Sequence, residues 1–143
     1  MKVLKYPFLL TGLLIMLIAC NDSNDEASVR DNHSIDQYPA KNTEQLLKDH
    51  KEVTKAHAVN SNDYLVAAFD VKQRHKWNLE KRKKQYKKQL KKEFPNHTIL
   101  LSTDQKLIHE LNKLNNQLNK GELSKNEIKH HIKRLKTLHD KKT

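Results

Sequence analysis

The stretch YLVAAFDV, residues 64–71, is the most apolar run after residue 20. Polar residues bound it on both sides, and its length of eight residues suits a central strand better than a helix. Successive side chains of a strand point to opposite faces, so Phe69 shares one face with Leu65, Ala67 and Val71. The run therefore predicts the central strand of a small sheet, with Phe69 packed against a helix.

The segments on both sides of this run supply its neighbours in the sheet. Residues 52–59 (EVTKAHAV) alternate loosely and precede the turn-forming residues 60–63 (NSND), which predicts a β-hairpin. Residues 97–103 (HTILLST) predict a further strand. Between the strands, residues 74–93 predict a long helix that Pro95 stops. A strand, a helix and a strand in this order favour a parallel pair joined by a crossover.

Apolar stripes with a helical period occupy the rest of the domain. Asn42 or Thr43 is suited to cap a short helix that turns Leu46 and Leu47 inward. Two capping-box spacings follow toward the C-terminus, each before an apolar stripe. They are Ser102 with Gln105 before Leu107, Ile108, Leu111, Leu114 and Leu118, and Ser124 with Glu127 before Ile128, Ile132, Leu135 and Leu138. Gly121 marks the end of the first of these helices.

These elements predict an α+β fold. The sheet is small, three-stranded and mixed, made of a β-hairpin plus one parallel strand after a crossover helix. A C-terminal helical hairpin completes it. We expect residues 43–143 to form a single α+β domain with basic helices. Residues 21–42 are rich in Asn, Asp and Ser and predict a flexible polar tether.

The N-terminus has the plan of a lipoprotein signal peptide. Lys2 and Lys5 precede the apolar segment 6–19, which is too short to span a bilayer as a helix. The segment Leu17-Ile18-Ala19-Cys20 looks like a bacterial lipobox. In that chemistry the Cys20 thiol receives a diacylglyceryl group. Cleavage before Cys20 then makes this residue the new N-terminus, and two acyl chains anchor a protein stably. We expect residues 1–20 to be this signal peptide; the alternative is an ordinary signal peptide or short anchor with an incidental cysteine.

Composition excludes several classes of enzyme. Cys20 is the only cysteine, and Gly121 is the only glycine after residue 20. Glycine-rich phosphate loops and the G-x-S-x-G nucleophile elbow are therefore absent. A zinc site of the usual cysteine-containing type lacks its thiolates. We expect no cofactor and no catalytic residue.

The remaining candidates for chemistry have simpler structural explanations. His109 and Glu110 begin like the H-E-x-x-H zinc motif, but Lys113 stands at the fifth position. His130, His131 and His139 follow on the last predicted helix, where adjacent side chains point about 100° apart and suit one ion poorly. We interpret these histidines as solvated side chains. The carboxylates that merit attention are Asp63, Asp70 and Asp104, which we interpret as turn and cap residues.

The strongest unusual signal is the lysine-rich segment 81–94, KRKKQYKKQLKKEF. It lies in the basic part of the chain, because residues 21–63 carry a net charge of −4 and residues 64–143 a net charge of +13. Lysines at i and i+4 repel each other, at a cost of about 0.2–0.5 kcal/mol per pair. The segment is either a solvated face or a patch for an anionic surface, formed by Lys81, Arg82, Lys84, Lys87, Lys88, Lys91 and Lys92. Trp77 stands off the apolar stripe of this helix, either as an exposed contact residue or packed against the hairpin.

Taken in order, these segments resemble the YhcN/YlaJ-type sporulation lipoproteins of endospore-forming bacteria. The resemblance runs through LIAC, the polar tether, EVTKAHAVNSNDYLVAAFDV, the basic helix, HTILLSTD and the helix that ends near NKGE. The second capped helix and the lysine-rich C-terminus are less typical of the family. The resemblance implies a membrane-anchored protein of the spore, linked to germination and outgrowth, with no catalytic residues to carry over.

We therefore expect a non-enzymatic lipoprotein that is a scaffold or interaction module. Its expected place is the extracytoplasmic face of the bacterial membrane, in particular the spore membrane. Its expected partners are the membrane, through the N-terminal lipid, and an acidic protein or wall polymer. The rival interpretation is a module that binds polyanions such as wall polymer, anionic lipid or, less readily, nucleic acid.

Overall fold

The computed structural model describes residues 35–141. The helices and strands, in chain order, are α1 (Tyr38–Lys48), β1 (Val53–Asn60), β2 (Tyr64–Val71), a 3₁₀ helix (Gln73–Asn78), α2 (Leu79–Glu93), β3 (Thr98–Ser102), α3 (Gln105–Asn119) and α4 (Lys125–Asp140).

The three strands form one mixed sheet in the order β1-β2-β3. Strand β2 is central, antiparallel to β1 and parallel to β3. The hairpin, the parallel third strand and the connecting helix agree with the sequence-based prediction. The predicted helix 74–93 is divided, because its first turn is the 3₁₀ helix and the α-helix begins at Leu79.

Helices cover both faces of the sheet and create two cores. The first core lies between the sheet and helices α1 and α2, and the second between the sheet and helices α3 and α4. Strand β2 contributes to both, since Leu65, Ala67, Phe69 and Val71 enter the first core while Val66 and Ala68 enter the second. This two-sided burial is why the strand is an unbroken apolar run instead of an alternating one.

Helix α1 begins earlier than the sequence indicated. It starts at Tyr38 with Pro39 in its first turn, a position that proline favours, so Asn42 and Thr43 lie inside the helix instead of capping it. Ile35 and Ala40 are buried in the cores. Residues 35–42 therefore belong to the folded domain, and the predicted tether 21–42 extends too far toward the C-terminus.

Side chains satisfy the outer edge of strand β1. The Gln37 amide donates to the Asn60 carbonyl at 2.9 Å and accepts from the Asn60 N–H at 3.1 Å, as a neighbouring strand would. The Glu44 carboxylate accepts from the Ala58 N–H at 2.9 Å and from the Asn115 amide at 2.7 Å. These bonds tie helices α1 and α3 to the strand and remove edge groups that would otherwise pair with another chain.

Local signals define the C-terminal helices. Asp104 caps α3 by accepting from the N–H groups of Lys106 and Leu107, so the predicted Ser102–Gln105 capping box is wrong. Ser102 instead ends strand β3, and its hydroxyl accepts from the Asp104 N–H at 3.2 Å. The predicted Ser124–Glu127 capping box is confirmed at the start of α4.

The turn between α3 and α4 requires its glycine. Gly121 has a φ of +68°, a left-handed conformation that glycine adopts without a steric penalty. Its N–H donates to the Leu118 carbonyl, and the Glu122 N–H donates to the Gln117 carbonyl. This pair of bonds is the Schellman motif, which satisfies the last carbonyls of α3 and reverses the chain into α4.

Replacing Phe69 by alanine tests the first core. Phe69 is 0% exposed, and its ring lies 5.3 Å from the Tyr86 ring in an edge arrangement, as the sequence predicted for the face toward α2. The substitution leaves a cavity that the surrounding helices cannot fill, so F69A should lower the free energy of unfolding by about 3–5 kcal/mol. Denaturant unfolding measures this change. A loss below about 1 kcal/mol would contradict the core position.

Candidate interaction surface

Helix α2 is strongly one-sided. Only Tyr86 and Leu90 are buried among its fifteen residues, and Leu79 packs partly against the same core. The helix ends at Phe94, which leaves helical geometry because the next residue is Pro95. One stripe of the helix therefore attaches to the sheet, and the opposite face meets solvent.

A polar cluster lies beside the buried stripe. Glu52 accepts a hydrogen bond from the Tyr86 hydroxyl at 2.7 Å and forms an ion pair with Arg82. The His50 ring stacks on the Tyr86 ring at 4.1 Å. Arg82 precedes Tyr86 by four residues, so it lies toward the core side of the helix. It is therefore engaged within the domain and is not part of an outward anionic-surface patch, which corrects that part of the prediction.

The cluster shifts the acidity of its members in opposite directions. The hydrogen bond from the Tyr86 hydroxyl lowers the pKa of Glu52, and the nearby Arg82 contributes in the same direction. Burial raises the pKa of Tyr86, and its bond to Glu52 raises it further. Glu52 therefore stays ionised and Tyr86 stays protonated at neutral pH. No sequence motif marked Glu52, because its partners lie more than thirty residues away.

The outer face of α2 carries the other predicted patch residues. All are exposed, namely Lys81, Lys84, Lys87, Lys88, Lys91 and Lys92. Lys83, which was not assigned to the patch, is partly buried and pairs with Glu80 at 2.8 Å. Within residues 35–141, none of the six outward lysines takes part in an ion pair. We call these six residues the lysine face.

Charge is unevenly distributed among the helices. Helix α2 has a net charge of +6 and α4 of +3, whereas α1 and α3 each carry +1. The two positive helices line one cleft near the end of β3. Lys83 of α2 and His139 of α4 are among its lining residues, and its volume is about 490 Å³. The positive charge is therefore concentrated on one helix of each layer.

Trp77 is the other prominent feature of this region. It lies in the 3₁₀ helix that leads into α2, and its side chain is 84% exposed. The structure thus decides between the two positions that the sequence left open, because Trp77 does not pack against the hairpin. Tyr38, at 65% exposure, is the other exposed large hydrophobic residue of the described part of the chain.

The histidines and carboxylates of the described residues do not assemble into a metal centre. No group of three His, Cys, Asp or Glu side chains between residues 35 and 141 is placed to hold a metal ion. His130 and His131 have ring centroids 6.4 Å apart at a steep angle. Burial lowers the pKa of His57, His131 and His139, so these side chains add little positive charge at neutral pH.

The prediction that these aspartates are turn and cap residues is confirmed for Asp63 and Asp104 and is wrong for Asp70, which lies within strand β2. Asp104 is the cap of α3, and Asp70 accepts from the N–H of Val71. Asp63 lies in the turn of the hairpin, where its carbonyl accepts from the Thr98 N–H. Ser124 is a helix cap, as the sequence indicated.

The predicted lipidation site lies outside the described residues. This applies to Cys20, to the signal peptide 1–20 and to residues 21–34 of the predicted tether. Between residues 35 and 141, no helix has both the length and the apolar character needed to cross a membrane.

The described residues thus form a small α+β domain with one lysine-covered helix. The model of one family, described as sporulation lipoprotein YhcN/YlaJ, matches residues 19–136. The chain belongs to this family of sporulation lipoproteins, and the match confirms the resemblance drawn from the sequence. Membership supports attachment to a membrane. No curated protein and no solved structure matches the chain.

The polar cluster predicts a specific dependence on pH. The pKa of Glu52 is lower in the folded chain than its ordinary value of 4.5, so the unfolded chain binds the proton more readily. The stabilisation from Glu52 is therefore present above pH 4.5 and is lost as the pH falls through the folded-state pKa. At pH 7, E52Q should be less stable by about 1–3 kcal/mol.

Urea unfolding of wild type and E52Q between neutral and acidic pH measures this dependence. The difference between the two proteins should shrink as the pH falls. The variant E122Q is a suitable control, because Glu122 is exposed and its pair with Lys120 is long, at 3.7 Å. A constant difference between wild type and E52Q across the pH range would contradict the assigned role of Glu52.

Proposed function

We propose that this lipoprotein is a non-enzymatic scaffold or interaction module that acts in spore formation, germination or outgrowth. The single observation that carries the proposal is the difference between the inner and the outer face of helix α2. Its inner stripe is committed to the core, whereas six lysines on its outer face are exposed and unpaired within the described residues. A domain that maintains this repulsion gains no stability from it, so the face is suited to an external anionic partner.

The anchor that we propose is a diacylated Cys20. Thioether linkage of the diacylglyceryl group and acylation of the new N-terminus, for example with palmitate, would hold the domain at the extracytoplasmic face of the membrane. In a spore-forming cell the expected location is the spore membrane. Membership in a sporulation lipoprotein family and the segment Leu17-Ile18-Ala19-Cys20 support this proposal.

The second candidate function is binding of a polyanion, whether wall polymer, anionic lipid or nucleic acid. The same six lysines favour it. Nucleic acid is the weakest of these ligands, because the proposed anchor places the domain outside the cytoplasm and the aromatic residue within α2 is not available for base stacking. Tyr86, the one aromatic residue among the lysines of α2, is only 2% exposed and already contacts Phe69 and His50.

Replacing Cys20 tests the anchor. C20A should abolish incorporation of labelled fatty acid and leave the precursor unprocessed by the lipoprotein pathway. Gel electrophoresis of cells fed with labelled palmitate measures both effects. An adjacent variant, N21A, serves as the control and should be labelled like wild type. Equal label on C20A and wild type would exclude the lipobox.

Neutralising part of the lysine face tests the interaction module. The quadruple variant K84Q/K87Q/K88Q/K91Q removes four exposed positive charges and relieves repulsion at i and i+4. Its free energy of unfolding should therefore stay the same or rise by about 1–2 kcal/mol. In spores, it should behave like a strain that lacks the protein, when germination and outgrowth are followed by loss of optical density.

The matched control removes the same charge from the opposite side of the sheet. Lys106, Lys113, Lys129 and Lys133 are exposed on α3 and α4, so K106Q/K113Q/K129Q/K133Q should behave like wild type. Immunoblots establish that both variants reach wild-type abundance. If the α2 variant germinates normally while the deletion strain does not, the lysine face is not the functional surface. If the deletion strain is itself normal, the proposed role in the spore is wrong.

A further inference from the structure

The exposed indole of Trp77 is unusual because it lies within a cluster of positive charge. Single exposed hydrophobic residues are common on protein surfaces and need no explanation by themselves. Trp77, however, follows the exposed cations Lys72, Arg74 and Lys76 and precedes the lysine face of α2. The indole ring of Trp77 is 84% exposed, so packing against the rest of the domain does not stabilise it.

The exposed indole comes shortly before a helical face that carries lysines. Lys81, Lys84 and Lys88 follow each other at intervals of three and four residues, the spacing that keeps side chains on one face of α2. Trp77 lies in the preceding 3₁₀ helix, two residues before α2 begins at Leu79. Tyr86 and Leu90 lie on the opposite side and face the core. Helix α2 is about 22 Å long at 1.5 Å per residue, so Trp77 lies at one end of an extended positive strip.

We propose that Trp77 and the lysine face bind an anionic lipid surface, with the indole at the level of the headgroups. Tryptophan prefers this depth because its ring is apolar while its N–H remains hydrogen-bonded. Lysines beside an anionic leaflet gain electrostatic attraction, and their apolar stems can lie along the interface while the ammonium groups stay hydrated. The proposal rests on the proposed membrane anchoring and specifies what the lysine face contacts.

The length of chain outside the described residues permits this arrangement. Fourteen residues lie between Cys20 and Ile35, where the described domain begins. A chain of that length spans at most about 50 Å when fully extended. The domain therefore stays near its own leaflet. The electrostatic attraction between lysines and lipid is screened beyond about 8 Å, so it acts when the α2 side lies against the lipid.

A lipid surface accounts for the face better than a soluble polymer does. A linear polyanion without aromatic or apolar groups, such as a wall polymer, is attracted by the lysines alone and gives the exposed indole no role. A lipid interface recognises both features together, since tryptophan rings settle at the level of the headgroups and lysines are attracted to an anionic leaflet. The buried stripe of α2 keeps the helix attached to the sheet, so the whole domain would lie on the leaflet.

Trp77 is also the only tryptophan of the chain, which makes it a direct reporter. The full chain, as isolated from its host with its N-terminal anchor, is reconstituted into vesicles of phosphatidylcholine with or without phosphatidylglycerol. Flotation measures anchoring, and quenching of Trp77 fluorescence by lipids with brominated acyl chains measures contact with the bilayer. We expect flotation with both vesicles, but quenching and a blue-shifted emission only with phosphatidylglycerol at low salt.

Two variants distinguish docking from simple proximity. In K84Q/K87Q/K88Q/K91Q, the docked population relative to the undocked one should fall by a factor of about 600, because each of the four lysines raises the affinity about five-fold. In W77F/H130W the only tryptophan lies on the exposed side of α4, in the other helical layer, and should not be quenched. The control K106Q/K113Q/K129Q/K133Q should dock like wild type.

Each remaining outcome overturns a different statement. Failure to float would refute the anchor and with it the proposed function. Flotation with Trp77 unquenched in both vesicles would refute docking and leave an anchored module whose lysines face solvent. Equal quenching with and without phosphatidylglycerol would refute recognition of anionic lipid. Protection of Trp77 from aqueous iodide by soluble poly(glycerol phosphate), without quenching by brominated lipid, would assign the face to a wall polymer.

Discussion

Burial of strand β2 on both faces is the constraint on which the rest of the fold depends. The five residues from Leu65 to Phe69 are completely removed from water, and they enter two different cores. A strand of this kind needs a helical layer on each side, which α1 and α2 supply on one face and α3 and α4 on the other. Small side chains at Ala67 and Ala68 let both layers approach the sheet closely, while Phe69 and Tyr86 fill the remaining space of the first core.

The same constraint determines how the domain presents itself to partners. With both faces of the sheet covered, recognition is left to the strand edges and to the outer faces of the helices. Gln37 and Glu44 close the edge of β1 with side-chain hydrogen bonds, so strand addition at that edge would first have to displace them. The outer face of α2 has no such engagement, and it carries the highest charge of any helix in the described domain.

Helix α2 also shows how a domain can be basic without being unstable. Its lysines repel one another, but the helix is held by a packed stripe and by the buried contact of Tyr86 with Glu52. The Glu52 carboxylate lies beside the helix where Arg82 turns inward. The six lysines of the lysine face project outward. Stability and surface charge are thus determined by different sides of the same helix.

The sequence by itself was sufficient for the elements whose signals are local. The apolar run 64–71, the helical stripes, the Ser124–Glu127 capping box and the turn at Gly121 predicted the mixed sheet and the C-terminal hairpin. Six of the seven cations assigned to the anionic-surface patch are exposed, because an i, i+4 pattern of lysines opposite an apolar stripe leaves them no other side. These features depend on neighbours within a few residues, which is the range that a sequence pattern reports.

The tertiary structure decided the features that depend on distant partners. Helix α1 begins at Tyr38 because the Gln37 amide bonds to the edge of β1 and Ile35 and Ala40 are buried in the cores, contacts that the polar composition of residues 21–42 conceals. Arg82 turns toward Glu52, thirty residues earlier in the chain. Trp77 was ambiguous because one-dimensional spacing does not tell whether a ring finds a partner. Only the folded chain shows that it finds none in the sheet, since the positions facing the sheet are already filled by Leu79, Tyr86 and Leu90.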